Sequence, residues 1–277
     1  MSTDGALTAT EYIKHHLTNL ASTHQGSIVD FSVINYDTLF FSIVIMAIGL
    51  WILRKAASKA TAGVPGKLQC AVEMLVEFVN TQARTLIHGD RTFIAPLALT
   101  VFVWVTLMNC VDLLPVDLLP LIGSWIGAGH LRPLPTADLN GTLGISVGVL
   151  VLMIYYGFKA HGFGGFFKGL LTAPFGANPL LWPFNLILNI IEYLAKCVSL
   201  GMRLFGNMYA GELLFFLLAL LGGYALSFGF VGGALSTFGQ IVAGLGWWLF
   251  HVLIVLLQAF IMMMLTLVYL GQAHESH

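Results

Sequence analysis

Five runs of apolar residues, each about as long as a bilayer crossing, constrain this chain more than anything else in it. They fall at about residues 38–53, 93–111, 141–158, 181–221 and 235–270. Inside hydrocarbon no water satisfies backbone N–H and C=O groups, and a helix satisfies them within one segment. At about 1.5 Å per residue, a helix crosses a core about 30 Å thick in about 20 residues. The pattern predicts an all-α polytopic membrane protein with five transmembrane helices. The two C-terminal runs are too long to stand upright, so they form a long, tilted antiparallel pair. Composition agrees: 58% of residues are hydrophobic, 9% are charged, and the mean hydropathy is +0.88.

Charge then orients the spans. Arg54, Lys55, Lys59, Lys67, Arg84 and Arg91, half of the 12 cations, lie in or next to the connection 54–92. Cations gather on the cytoplasmic side, which puts this connection inside and the N-terminal segment 1–37 outside. Within the connection, residues 67–88 bring Leu68, Val72, Leu75, Val79 and Leu86 to one face, the pattern of an amphipathic helix in the cytoplasmic interface. The connection 112–140 is external and opens with a doublet, DLLP at Asp112–Pro115 and again at Asp117–Pro120. Asp112 reads either as acidic lining of an outer vestibule or as a helix cap; Asp117 reads as a cap. The stretch 159–180 is rich in Gly and Phe, carries Lys159, His161 and Lys168, and reads as a cytoplasmic loop, as does the tail 271–277. All of this forms a single membrane domain, 1–277. His15, His16 and His24 read as solvated surface residues, and the start lacks the basic-then-apolar order of a cleaved signal peptide.

Several function classes drop out. There is no phosphate-binding glycine loop, dinucleotide fingerprint or GxSxG turn, so no nucleotide is expected to bind directly. Cys70, Cys110 and Cys197 are scattered, without the spacing of a zinc site or a disulfide framework. No basic patch with interleaved aromatics points to nucleic acid, and no cofactor is expected.

The fourth run is unusual in carrying charge. Asn185, Asn189, Glu192, Lys196, Ser199, Arg203 and Asn207 follow one another at intervals of three or four residues, so they line one side of a helix. Glu212 lies nine residues past Arg203, about 180° round the wheel. A cation at mid-membrane costs roughly 2.5–3.5 kcal/mol on insertion scales. Glu192 and Lys196, four apart, read as a bridge or as part of a polar lane. Arg203 has no acid three or four positions away and cannot shed its proton, so its partner is water, another helix or another subunit. On the last helix Gln240, His251 and Gln258 share a face. With the two long helices antiparallel and Gln258 level with Arg203, His251 arrives near the depth of Glu212. Spacing alone thus predicts an amide beside the arginine and a Glu–His pair further out. The inner half offers Glu192, Ser199, Asn189 and Asn207 as a hydrated lane. Two offset polar half-paths, separated by a fixed cation, need something else to carry a proton between them, and a carboxylate on a moving partner is one carrier that could.

SLGMRLFGNMYAGELL (Ser199–Leu214), HVLIVLLQAFIMMMLTLVYL (His251–Leu270), GVPGKLQ and APLALTVFVW closely resemble subunit a of bacterial F-type ATP synthases. The resemblance covers almost the whole chain, and RLFGNMYAGE is its most specific segment. It implies that Arg203 matches the family's stator arginine, facing the carboxylates of a ring of c subunits. It also implies that Asn207, Glu212, His251 and Gln258 occupy half-channel positions, Glu212 and His251 in the outer path. The implied role is a stationary, non-catalytic proton-translocating subunit that couples proton flow to ring rotation and ATP synthesis. Its implied partners are the c-ring, the b subunits of the peripheral stalk and lipid, in a bacterial inner membrane. Two positions depart from the pattern. Asn189 stands where some relatives carry the inner carboxylate, with Glu192 one turn away, and Cys197 stands where proline is common. Two other readings rest on the residues alone: a secondary transporter that binds an anion at Arg203, and a non-conducting structural subunit of a respiratory complex.

Overall fold

The computed structural model describes residues 20–23, 33–61, 63–87, 91–114, 134–176, 178–224 and 229–273. The histidines of the N-terminal segment, Asp117, most of the external loop and the end of the tail lie outside them. Among these residues six α-helices follow in order: α1 (Tyr36–Ser58), α2 (Lys67–Leu86), α3 (Ile94–Cys110), α4 (Leu139–Thr172), α5 (Trp182–Tyr224) and α6 (Gly229–Gln272). Short 3₁₀ turns stand at Val111–Leu113, Pro135–Ala137 and Pro179–Leu181. All helices but α2 are long and apolar enough to cross a membrane. The chain is an all-α polytopic membrane protein. In each span's most apolar window only 22–39% is covered by the protein itself. Large apolar side chains such as Phe40, Trp51, Ile190, Leu245 and Leu253 are exposed, as lipid-facing surfaces require.

The chain divides into two compact units, and α1, α3, α4, α5 and α6 each contribute to both. The first comprises residues up to Met46, Thr106–Gly141 and Leu204–Gln258. Here α5 and α6 run antiparallel. Gln240 donates to the Leu218 carbonyl at 3.1 Å, the His251 ring faces Gly211, and Asn207 donates to Gln258. As one helix advances the other retreats. Leu134, Ala137 and Met208 form a buried cluster, with Val111 and Ile254 packed against it. At the start of α1, Asp37 accepts the Leu20 amide at 3.0 Å.

The second unit comprises Ala47–Val105, Thr142–Arg203 and Ala259–His277. Its core joins Val79, Ala83 and Ile87 to Ile94, Ala95 and Ala98 of α3, Tyr156 of α4, and Met263, Leu267 and Leu270 of α6. Of the apolar face expected in the interface, Val79 and Leu86 meet this core, while Leu68 is exposed, as a lipid-facing side chain of an interfacial helix is, and Val72 lines a cleft of about 400 Å³ with Gln69, Glu73, Glu77, Asn80 and the end of α1. The core face follows Val79, Ala83 and Ile87 because α6 packs there, closely enough that a Cβ at Gly271 would lie 3.1 Å from the Leu86 carbonyl.

The largest departure from expectation lies in residues 159–180. Instead of a loop after position 158, helix continues to Thr172, with a break at Gly162 (φ 69°, ψ 169°). Only glycine adopts that conformation readily. The phenylalanines that read as loop filler make a ring cluster. Phe158 lies 5.3 Å from Phe163 and 4.4 Å from Phe166 between centroids, and Phe163 lies 4.9 Å from Phe167. Gly157 leaves the room that Phe166 fills.

Candidate functional site

In the second unit, the polar face of α5 divides by role. The last carbonyls of a helix have no partner within it and need donors from elsewhere. Asn189 supplies them, its Nδ2 lying 2.9 Å from the carbonyls of both Leu170 and Ala173. Asn185, fully buried, donates to Leu171 at 2.8 Å and accepts from the Phe175 amide at 3.2 Å. Asn189, expected in the hydrated lane, and Asn185 of the same polar face are thus engaged in closing the end of α4. Expectation failed here because a polar residue on a helix face looks the same in sequence whether it meets water or a neighbour's carbonyls.

One turn on, Glu192 and Lys196 form an ion pair at 2.6 Å, with the carboxylate side chain 61% exposed. Lys196 also donates to Gln272 at 2.9 Å and lies 5.5 Å from the centre of the Tyr269 ring. Ser199 is exposed and Arg203 is partly buried. Among the described residues, Arg203 forms no ion pair.

In the first unit, the sequence-predicted residues come together with one substitution of partner. His251 is fully buried, and its Nε2 lies 2.5 Å from Oδ2 of Asp112, whose side chain is 8% exposed. The expected partner was Glu212; the observed one is Asp112, carried to α6 by the 3₁₀ turn that ends α3. Depth along a helix is readable from spacing, but the approach of a third helix is not. Glu212 is itself buried, at 7%, beside Gly211, against which the imidazole sits. The Phe215 ring meets the imidazole edge to face at 5.2 Å, and Trp247 flanks it at 6.0 Å. The Nδ1 atom of His251 has no hydrogen-bond partner among the described residues. Both carboxamide atoms of Asn109, one turn before Asp112, are likewise buried and unpartnered. Further along, Asn207 Nδ2 donates to Gln258 Oε1 at 2.6 Å. The amide expected beside Arg203 thus pairs one turn beyond it, with Asn207.

Chemically, an imidazole and a carboxylate at hydrogen-bond distance can share or pass a proton across that contact. Sequence reasoning missed Gly211 as the seat of the ring, and the GE dipeptide beside a polar stripe was its only signal.

Comparison with known proteins gives a consistent picture. Residues 39–271 match the family described as ATP synthase A chain. A protein of Paracidovorax citrulli (strain AAC00-1) named ATP synthase subunit a is 56% identical over 288 residues, covering 98% of this chain and 98% of its own. A protein of the same name from Aliivibrio fischeri (strain MJ11) is 49% identical over 275 residues, covering 98% of this chain and 97% of its own.

Proposed function

Because this chain belongs to the ATP synthase A chain family, we propose that it is the stationary proton-translocating subunit of the synthase's membrane sector. In this reading Arg203 faces the carboxylates of a rotating c-ring and separates two half-channels. The outer one runs past Asp112, His251, Glu212, Asn207 and Gln258. The inner one runs past Ser199 and the exposed Glu192, with Asn189 holding the adjoining turn in place. The chain sits in a bacterial inner membrane, N-terminus outside and C-terminus in the cytoplasm, against the b subunits of the peripheral stalk and lipid.

The observation that carries the reading is the charge state of one helix. Arg203 is a permanent cation in a membrane span, partly buried and without an ion-pair partner among the described residues. Such a charge needs water, backbone carbonyls or a counter-charge, and a carboxylate carried past on another subunit supplies the last. Beside the guanidinium that carboxylate loses its proton; facing lipid it must regain one. Each proton crossing 100 mV releases about 2.3 kcal/mol, which the ring converts to rotation.

In inverted membrane vesicles holding the assembled complex, Arg203→Ala is expected to abolish ATP-driven proton pumping. Normal coupled pumping by that variant would overturn the reading. Anion uptake by the chain alone would favour a secondary transporter instead.

A further inference from the structure

Away from the half-channel residues, the first unit contains further buried carboxylates that the mechanism does not use, Asp37 and Asp138. Asp138, 6% exposed, precedes α4, where its Oδ1 accepts the Asn140 amide at 3.1 Å. Its Oδ2 accepts from Asn35 Nδ2 at 2.8 Å and from Thr38 Oγ1 at 2.9 Å. Asn35 and Thr38 are also buried, at 5% and 7%. One carboxylate thus caps α4 and ties it to the start of α1, about a hundred residues earlier in the chain. The geometry is tight, since a Cβ at Gly141 would lie 3.0 Å from the Thr38 methyl and 3.1 Å from the Pro135 carbonyl.

What this clasp holds is the turn just before it. Pro135, Thr136 and Ala137 are all buried, and Leu134 and Ala137 pack with Met208, Val111 and Ile254. Each of those three neighbours supports a site residue. Val111 adjoins Asp112, Met208 adjoins Asn207, and Ile254 stands one turn from His251. We propose that Asp138 is a positioning residue for proton transfer, fixing the buried turn Leu134–Ala137 against the backs of the Asp112–His251 and Asn207–Gln258 pairs. It carries no proton itself. A pair that works at hydrogen-bond distance is sensitive to small displacements of its support. The inference rests on the function proposed above.

The test reads position and proton flow separately, in the assembled complex. With Cys70, Cys110 and Cys197 replaced by serine, Ala137→Cys and Met208→Cys should form a disulfide that reports contact between the turn and α5. Adding Asp138→Ala is expected to lower that cross-linking severalfold. In the otherwise native chain, Asp138→Ala should reduce proton pumping per assembled complex by between about ten- and a hundred-fold. Asp138→Asn keeps an acceptor oxygen and is expected to restore most of both. Undiminished cross-linking in Asp138→Ala overturns the proposal, and so does lost cross-linking with normal pumping. An Asp138→Asn variant that cross-links normally yet does not pump also overturns it, because the carboxylate would then carry charge or a proton. If Asp138→Ala does not accumulate, Thr38→Val removes one of the bonds described above, and a loss of about two- to ten-fold in pumping is expected. Unchanged cross-linking and pumping in Thr38→Val overturns the proposal equally. Failure of the functional reading shows separately, as normal pumping by Arg203→Ala whatever the cross-linking result.

Discussion

At the scale of single residues, the imidazole of His251 depends on an absent side chain. A Cβ at Gly211 would overlap the ring, which leaves the ring no place against α5 while it keeps Asp112. Gly211→Ala therefore forces either the ring or the helix to move, an overpacking cost of about 1–3 kcal/mol. Passive proton conduction through membranes stripped of the catalytic sector is expected to fall at least about ten-fold per assembled subunit. Wild-type conduction would mean the ring does not sit where it is described. Much at this scale was legible in the sequence. Intrahelical spacing placed His251 near the depth of Glu212 and set an amide close to Arg203, because rise per residue is fixed. The choice of Asp112 over Glu212 as the partner of Nε2 was not legible, since it depends on how α3 ends. Nor was the engagement of Asn185 and Asn189, since the carbonyls they satisfy belong to a helix end that hydropathy does not mark.

At the scale of elements, the segment after position 158 shows how composition misleads. Gly and Phe interleaved beside lysines looked like a loop, yet Phe rings at helical spacing pack on one another and hold a helix past a single break. The break itself requires glycine. Gly162→Ala is expected to destabilise the 159–172 segment by about 1–3 kcal/mol, because a side chain at φ 69° is strained whatever space surrounds it. Limited proteolysis should then cut there faster than in the parent chain, and an unchanged rate would count against the strained conformation. The helical type and approximate place of the five described spans were readable, because apolar runs of this length admit no other structure in a membrane, but the far end of α4 was not. The exact face that α2 buries was not readable, since α6 selects it by packing.

At the scale of the whole molecule, orientation follows from charge placement. The cations between Arg54 and Arg91 predict that this connection faces the cytoplasm. A cysteine introduced as Lys59→Cys, at an exposed position, should react with a membrane-impermeant maleimide in inverted vesicles and not in right-side-out ones. The opposite pattern would reverse the topology. Order of synthesis adds a final consequence. The buried acid–imidazole contact joins residues 139 positions apart, and its imidazole lies in a span synthesised after the other four described spans. In the reading proposed above, a nascent polypeptide with its first four spans inserted holds Arg203, Asp112 and Glu212, but not the imidazole that completes the outer route.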